Sequence, residues 1–206
     1  LFNEVALPDF DPYQLYPSTA VQFAGTAGQG LITANELFLA AVIRAGLNGA
    51  VAKAYEAEQR GGDTHTALTI IQGPILSPFP ERLDLLLALS QNGFDKFTGR
   101  GTAGAGLPDI VSPTGEIIID PTLVPEDGGD ARALPSPISD ILIANHPARP
   151  GLGINVLALA IAAGYSNVVP REAVAAAINE SVIGKKAPAF NAALVSAGFT
   201  EADRLR

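Results

Sequence analysis

Hydrophobic positions along this chain follow two periods, and the switches between them mark out its elements. Thr19-Ala20-Val21-Gln22-Phe23-Ala24 reads as a β-strand, and after a glycine-rich turn the apolar run from Leu31 to Ala45 reads as a helix. Within that helix Leu37 to Ile43 is uninterrupted, and Thr33, Glu36 and Arg44 mark only a narrow polar seam. A surface helix shows a wider polar face, so this one is expected to lie buried between a sheet and another layer. Gly46 is placed to end it. Val51 to Tyr55 suggests a short second strand, and His65 to Ile71, rich in threonine and isoleucine, a third. Leu83 to Leu89, Glu116 to Asp120 and Ile138 to Ala144 are short apolar runs that fit buried strands.

Residues 98–116 and 121–138 are rich in glycine and proline and read as loops, and residues 1–18 read as an extended arm. The last quarter is helical in pattern. One helix runs from Asn155 to Ala163 and ends at Gly164; a second has Pro170 at its first position and runs to about Ser181; a third runs from Pro188 to near Gly198. Strands alternating with helices, then a helical tail, predict an α/β domain of three layers, spanning 19–206, with a mostly parallel central sheet.

Composition narrows the chemistry. The chain has 206 residues, no cysteine, two histidines and a net charge of −8. The negative charge argues against nucleic acid as a partner. Without cysteine there is neither a disulfide nor a thiolate-ligated iron–sulfur cluster, and two isolated histidines argue against structural zinc. No apolar stretch is long enough for a membrane helix, and Leu1-Phe2-Asn3-Glu4 does not resemble a leader, so the expected location is the cytoplasm.

Two segments carry candidate chemistry. The turn Gly25-Thr26-Ala27-Gly28-Gln29-Gly30 joins a strand to a helix whose first N–H groups point at whatever occupies the turn. That arrangement suits phosphate or another anion. Its G-x-x-G-x-G order differs from the dinucleotide fingerprint G-x-G-x-x-G, and without a ligand the same glycines serve close strand–helix packing. The second segment, Tyr55-Glu56-Ala57-Glu58-Gln59-Arg60-Gly61-Gly62, offers a guanidinium for an anionic group, with Glu58 to orient it; the plainer reading is a solvated hairpin. His65 at a strand start reads as structural. His146 lies in a loop, 146–150, that leads to Gly151-Leu152-Gly153 and is a second candidate functional loop. Lys185-Lys186 near a helix end offsets the helix dipole. There is no nucleophile elbow, no P-loop lysine and no thiamine diphosphate signature.

Taken together, Gly25 to Gly30 and Tyr55-x-x-Glu58-x-Arg60-Gly61-Gly62 resemble the gamma subunit or domain of the 2-oxoacid:ferredoxin oxidoreductases. Pro74-Ile75-Leu76-Ser77-Pro78, the strand containing Asp84, Gly153 to Leu159 and Ala187 to Asn191 extend the resemblance over about residues 19–200. Ala27 stands where that family has glycine, Glu56-Ala57 stands where it has Gly-Pro, and 98–137 reads as a loop-rich insertion.

The resemblance implies a Rossmann-like fold and a role in oxidative decarboxylation of a 2-oxoacid to acyl-coenzyme A. Thiamine diphosphate, magnesium and iron–sulfur clusters would sit on alpha, beta and iron–sulfur partner subunits, with ferredoxin or another acceptor taking the electrons. This chain would contribute to the coenzyme A side, through Gly25, Gly28, Gln29 and Gly30 and through Glu58, Arg60, Gly61 and Gly62. The form of the second motif favours a 2-oxoglutarate-like substrate over pyruvate or an aryl 2-oxoacid. The alternatives are a stand-alone Rossmann-type nucleotide-binding domain or dehydrogenase, with Glu56 or Glu58 as its ribose-binding acid, and an assembly subunit without a site.

Overall fold

The computed structural model describes residues 16–55, 62–75, 77–101 and 108–206. β1 (Ser18–Thr26) leads into α1 (Leu31–Arg44), and β2 (Asn48–Tyr55) and β3 (Asp63–Ile71) follow. β4 (Leu83–Ala88), α2 (Gln91–Phe97), β5 (Val111–Ile119) and β6 (Ala133–Pro135) complete the sheet. The rest is helical: α3 (Ile138–Asn145), α4 (Ile154–Ser166), α5 (Arg171–Glu180), α6 (Val182–Lys186) and α7 (Pro188–Leu205). The strand order is β2-β3-β1-β4-β5-β6. β1, β4, β5 and β6 are mutually parallel; β3 runs antiparallel to both β1 and β2. The sheet is therefore mostly parallel, as expected, with one reversed strand beside the central one.

Both faces of β1 are covered, which explains its unbroken burial from Ala20 to Gly25. Val21 and Phe23 face α1 and α4, whereas Ala20 and Ala24 face Phe94 and Phe97 of α2. α4 is buried from Val156 through Gly164, between the sheet and α7. A helix that is apolar all round belongs in such a place.

Five expectations need correction. Ile138 to Ala144 is helix, not strand. A strand would turn Asp140 to the same side as Ile138 and Leu142. The helix buries Ile138 and Leu142 and leaves Asp140 exposed, and the Asp120 carboxylate accepts from Ser139 N–H at 2.6 Å to satisfy its first turn. Neither Gly164 nor Gly198 ends a helix. They let α4 and α7 cross closely: a Cβ at Gly164 would stand 2.8 Å from Ala202 Cβ, and one at Gly198 2.5 Å from Ala160 Cβ. Pro170 caps α5 from outside rather than opening it. Finally, 98–137 is not all loop. It holds β5, which starts at Val111, and β6, so part of the segment is sheet. A helix absent from the sequence reading, α2, is short; Ser90 Oγ caps it by accepting from Gly93 N–H, and a Cβ at Gly93 would meet Ala24 Cβ at 2.8 Å.

Candidate functional site

β1 continues into α1 on one face of the sheet, and the parallel neighbour β4 continues into α2 on the other. The C-terminal ends of these two strands are thus a topological switch point, where α/β sheets open a crevice for ligands. The glycine turn sits there. Leu89 N–H donates to Ala24 O at 2.7 Å, closing the two strand ends together.

Several of the turn's polar groups are already hydrogen-bonded. Thr26 N–H donates to Gln29 Oε1 at 2.9 Å, and Gln29 N–H to Thr26 O at 3.3 Å. Ala27 N–H donates to Gly62 O at 2.9 Å, so the structure brings the first motif against the end of the second. Glu58, Arg60 and Gly61 lie outside the described residues. Gly25 is buried, while Thr26, Ala27 and Gly28 form an exposed tip. At Gly28 φ is +96°, a Cβ would meet nothing within 4 Å, and the N–H has no partner among the described residues.

α1 begins at Gly30, which has φ +72°, and no side chain caps it. α4 begins the same way, at Gly153 with φ +83° and no side-chain cap. The two starts are neighbours: a Cβ on Gly30 would stand 3.2 Å from Asn155 Nδ2. Two uncapped N-termini side by side concentrate positive partial charge at this edge of an otherwise acidic chain. Between them opens a cavity of about 350 Å³ lined by Gly28, Gln29, Leu142, Ile143, Gly151 and Ile154. Ile143 and Leu152 are exposed.

The loop 146–153 therefore does reach the site, but through Pro150 and Gly151 rather than His146. His146 packs edge-on against Phe190 at 5.8 Å, and His65 against Phe97 at 5.2 Å. Gly151 and Gly153 were expected at the end of a candidate functional loop, but neither they nor Asn155 were named as site residues. Their signal was present: Gly151-x-Gly153 before an apolar helix repeats the pattern of Gly28-x-Gly30. Asp84 is structural, its carboxylate accepting from Ala20 N–H at 2.8 Å. Lys185 and Lys186 are exposed in the last turn of α6.

An extended charged network among the described residues lies away from the turn, at the N-terminal ends of β5 and β6. Arg132 bridges Asp109 at 2.7 Å and Asp130 at 2.9 Å and also donates to Val111 O. The hydrogen bonds from Arg132 hold the Asp130 carboxyl below the usual carboxylate range. A second hollow, lined by Pro17, Thr19, Ile70 and Asn167, lies at the edge of the sheet opposite the turn.

Known proteins place this architecture. The family model for pyruvate ferredoxin/flavodoxin oxidoreductase matches residues 20–201. Ketoisovalerate oxidoreductase subunit VorA of Methanothermobacter thermautotrophicus is 30% identical over 139 residues, 68% of this chain but only 27% of that protein. 2-Oxoglutarate synthase subunit KorC of Methanocaldococcus jannaschii is 26% identical over 164 residues, 79% of this chain and 82% of its own length. Among solved structures, the gamma subunit of a keto/oxoacid ferredoxin oxidoreductase from Geobacter sulfurreducens superimposes with a TM-score of 0.73 at 23% identity, covering 92% of this chain and 98% of that one. A 2-oxoglutarate:ferredoxin oxidoreductase from Magnetococcus marinus gives 0.74 at 20% identity, over 92% of this chain and 32% of that one. No described helix is long and apolar enough to cross a membrane. With the family model spanning nearly all of it, this chain belongs to the pyruvate ferredoxin/flavodoxin oxidoreductase family.

Proposed function

We propose that this chain is the gamma subunit of a 2-oxoacid:ferredoxin oxidoreductase and forms part of the coenzyme A side of a shared active site. The observation that carries the reading is Gly28. Its N–H has no partner among the described residues, its backbone is open to approach, and it stands at the switch point beside two uncapped helix starts. Such a place suits the phosphates of a nucleotide thiol. Arg60 would add a bidentate donor from the neighbouring segment, with Glu58 to orient it.

The relatives support the class. The Magnetococcus structure is described with 2-oxoglutarate, coenzyme A and succinyl-CoA bound, and the two curated relatives act on ketoisovalerate and 2-oxoglutarate by name. A 2-oxoglutarate-like substrate is the favoured one here. Thiamine diphosphate with magnesium, held by alpha and beta subunits, would supply the decarboxylation chemistry. Iron–sulfur clusters on a partner subunit would lead electrons to ferredoxin, since this chain has no cysteine to ligate them. Its own part is to bind and orient the coenzyme. The rival dehydrogenase reading fits the sheet poorly. In a dinucleotide fold the ribose-binding acid ends the strand next to the glycine strand; here β3 separates β2 from β1.

Replacing Arg60 with alanine in the assembled complex tests the assignment. The expected result is a coenzyme A KM raised about tenfold, the size of one charged hydrogen bond, with the 2-oxoacid KM within about twofold of wild type. Unchanged coenzyme KM and turnover would remove Arg60 from the site.

A further inference from the structure

The glycine turn contains one long polar side chain, and its amide faces the protein. Gln29 Oε1 accepts from Thr26 N–H at 2.9 Å, and Gln29 Nε2 donates to Leu89 O at 3.3 Å. The first bond closes the turn on itself. The second fastens it to the end of β4, 60 residues away in sequence. One planar amide thus ties the ends of the two strands whose divergence makes the crevice. Gly25 is fitted to this arrangement, because a Cβ there would stand 2.1 Å from Gln29 Oε1.

The consequence for the amides is specific. Of the four N–H groups from Thr26 to Gln29, three already have partners: Thr26 in the Gln29 side chain, Ala27 in Gly62 O and Gln29 in Thr26 O. The Gly28 N–H remains. An amide held by neutral hydrogen bonds in a fixed turn is oriented before any ligand arrives, which lowers the cost of binding.

We infer that Gln29 is a positioning residue, a clip that sets the exposed Thr26-Ala27-Gly28 tip against the end of β4 and leaves Gly28 N–H as the tip's one unpaired amide among the described residues. It is not itself a ligand-binding side chain. This rests on the proposed coenzyme role of the turn. It moves Gln29 out of the set of contact residues and places Gly25 with it, as the residue that makes room for the clip.

The test uses the assembled complex, with Gln29→Met as a variant of similar length that can make neither bond. Hydrogen exchange of the Thr26 amide is read without coenzyme, and steady-state kinetics are read with coenzyme A and the 2-oxoacid. The clip predicts Thr26 exchange faster by about tenfold or more, a coenzyme KM raised by a similar factor, and a 2-oxoacid KM within about twofold.

A second variant, Gln29→Glu, supplies a pH signature. A protonated carboxyl reproduces both bonds, its O–H donating to Leu89 O and its carbonyl accepting from Thr26 N–H. An ionised one turns a charge on the Leu89 carbonyl. Its Thr26 exchange, as a ratio to wild type at each pH, is expected to fall toward one as pH drops through the ordinary glutamic acid range, about 4–5. Wild-type Thr26 exchange in Gln29→Met would overturn the clip, whatever the kinetics. Faster exchange with an unchanged coenzyme KM would instead overturn the coenzyme reading of the turn, and the positioning role with it.

Discussion

A β-carbon on Gly198 of α7 would stand 2.5 Å from the Ala160 Cβ of α4, and 3.1 Å from the backbone nitrogen of Ile161. The two helices approach through small residues, with Gly164 meeting Ala202 on the same seam. Gly198→Ala gains roughly 1 kcal/mol of helix propensity but forces apart helices that cannot yield locally, since α4 is buried on every side. Overpacking of this kind costs about 1–3 kcal/mol, and the backbone clash puts this site at the upper end. The expected net result is a destabilisation of about 1–2 kcal/mol, read as a lowered denaturation midpoint with unchanged slope. A stabilised variant would contradict the close crossing.

Glu201 links the same helix to the sheet. Its buried carboxylate receives two hydrogen bonds from Arg204, at 2.6 and 2.8 Å, and Arg204 also donates to Pro135 O at the end of β6. Burial by itself pushes the Glu201 carboxyl up. The hydrogen bonds and charge of Arg204, with the Ser136 hydroxyl close by but outside hydrogen-bonding geometry, outweigh burial and hold the carboxyl below its ordinary value of 4.5. A depressed carboxyl adds stability above its unfolded pKa and loses it as pH falls through the folded value. Glu201→Gln is therefore expected to lower stability at neutral pH and to lose less stability than wild type on acidification below about pH 4.5. Denaturation midpoints of both proteins across pH 3–7 check this, and parallel pH curves would refute it.

What could be read from sequence follows from how local each cause is. β1, the glycine turn and α1 were legible because period and glycine placement are local signals. α3 was not, because the run Ile138 to Ala144 is apolar enough for either period. What decides it is Asp120, 19 residues earlier, accepting from Ser139 N–H. Gly164 and Gly198 read as helix stops because a glycine's packing partner is invisible along the chain. The same reason hid the work of Gln29, whose second partner is Leu89 O. The β2-β3-β1 order, with β3 reversed, also depends on distant pairing. Of the candidate site, the glycines were legible; which of them are open to approach and which pack against the protein was not.

Arg132 fastens the strands at the far end of the sheet. It joins Asp109 before β5 and Asp130 before β6 and donates to Val111 O, and Asp130 is itself nearly covered by the network. Arg132→Leu leaves the Asp130 carboxylate with the backbone N–H of residue 132, at 3.0 Å, and with Arg100, at 3.4 Å. Breaking a fully buried pair costs about 3–5 kcal/mol; with Asp109 open to solvent the expected loss is about 2 kcal/mol. Arg132→Lys should recover only part of it, because an ammonium cannot fork to both carboxylates. Chemical denaturation of the three proteins checks the order, and full recovery by lysine would show that charge alone suffices.

Gly25 and Gly28 share one motif, yet they should fail differently when given the same side chain. At Gly25 an added methyl meets Gln29 Oε1 at 2.1 Å, Leu31 Cδ1 at 2.9 Å and Leu89 Cβ at 3.2 Å, all inside the fold. Gly25→Ala is expected to cost about 2 kcal/mol or more, and less in a Gln29→Ala background, where the nearest of those atoms is gone. At Gly28 the methyl meets nothing within 4 Å, so the fold pays only the strain of φ +96°, about 1 kcal/mol. That methyl does, however, stand where an incoming group would approach the N–H that has no partner among the described residues. Gly28→Ala in the assembled complex should therefore raise the coenzyme A KM about tenfold at nearly wild-type stability, while Gly25→Ala shows its deficit first in the denaturation curve. A Gly28→Ala complex with wild-type coenzyme KM would mean that the ligand does not come to this face of the turn, and the proposed coenzyme wall would have to be sought at the Gly151–Asn155 start of α4 instead.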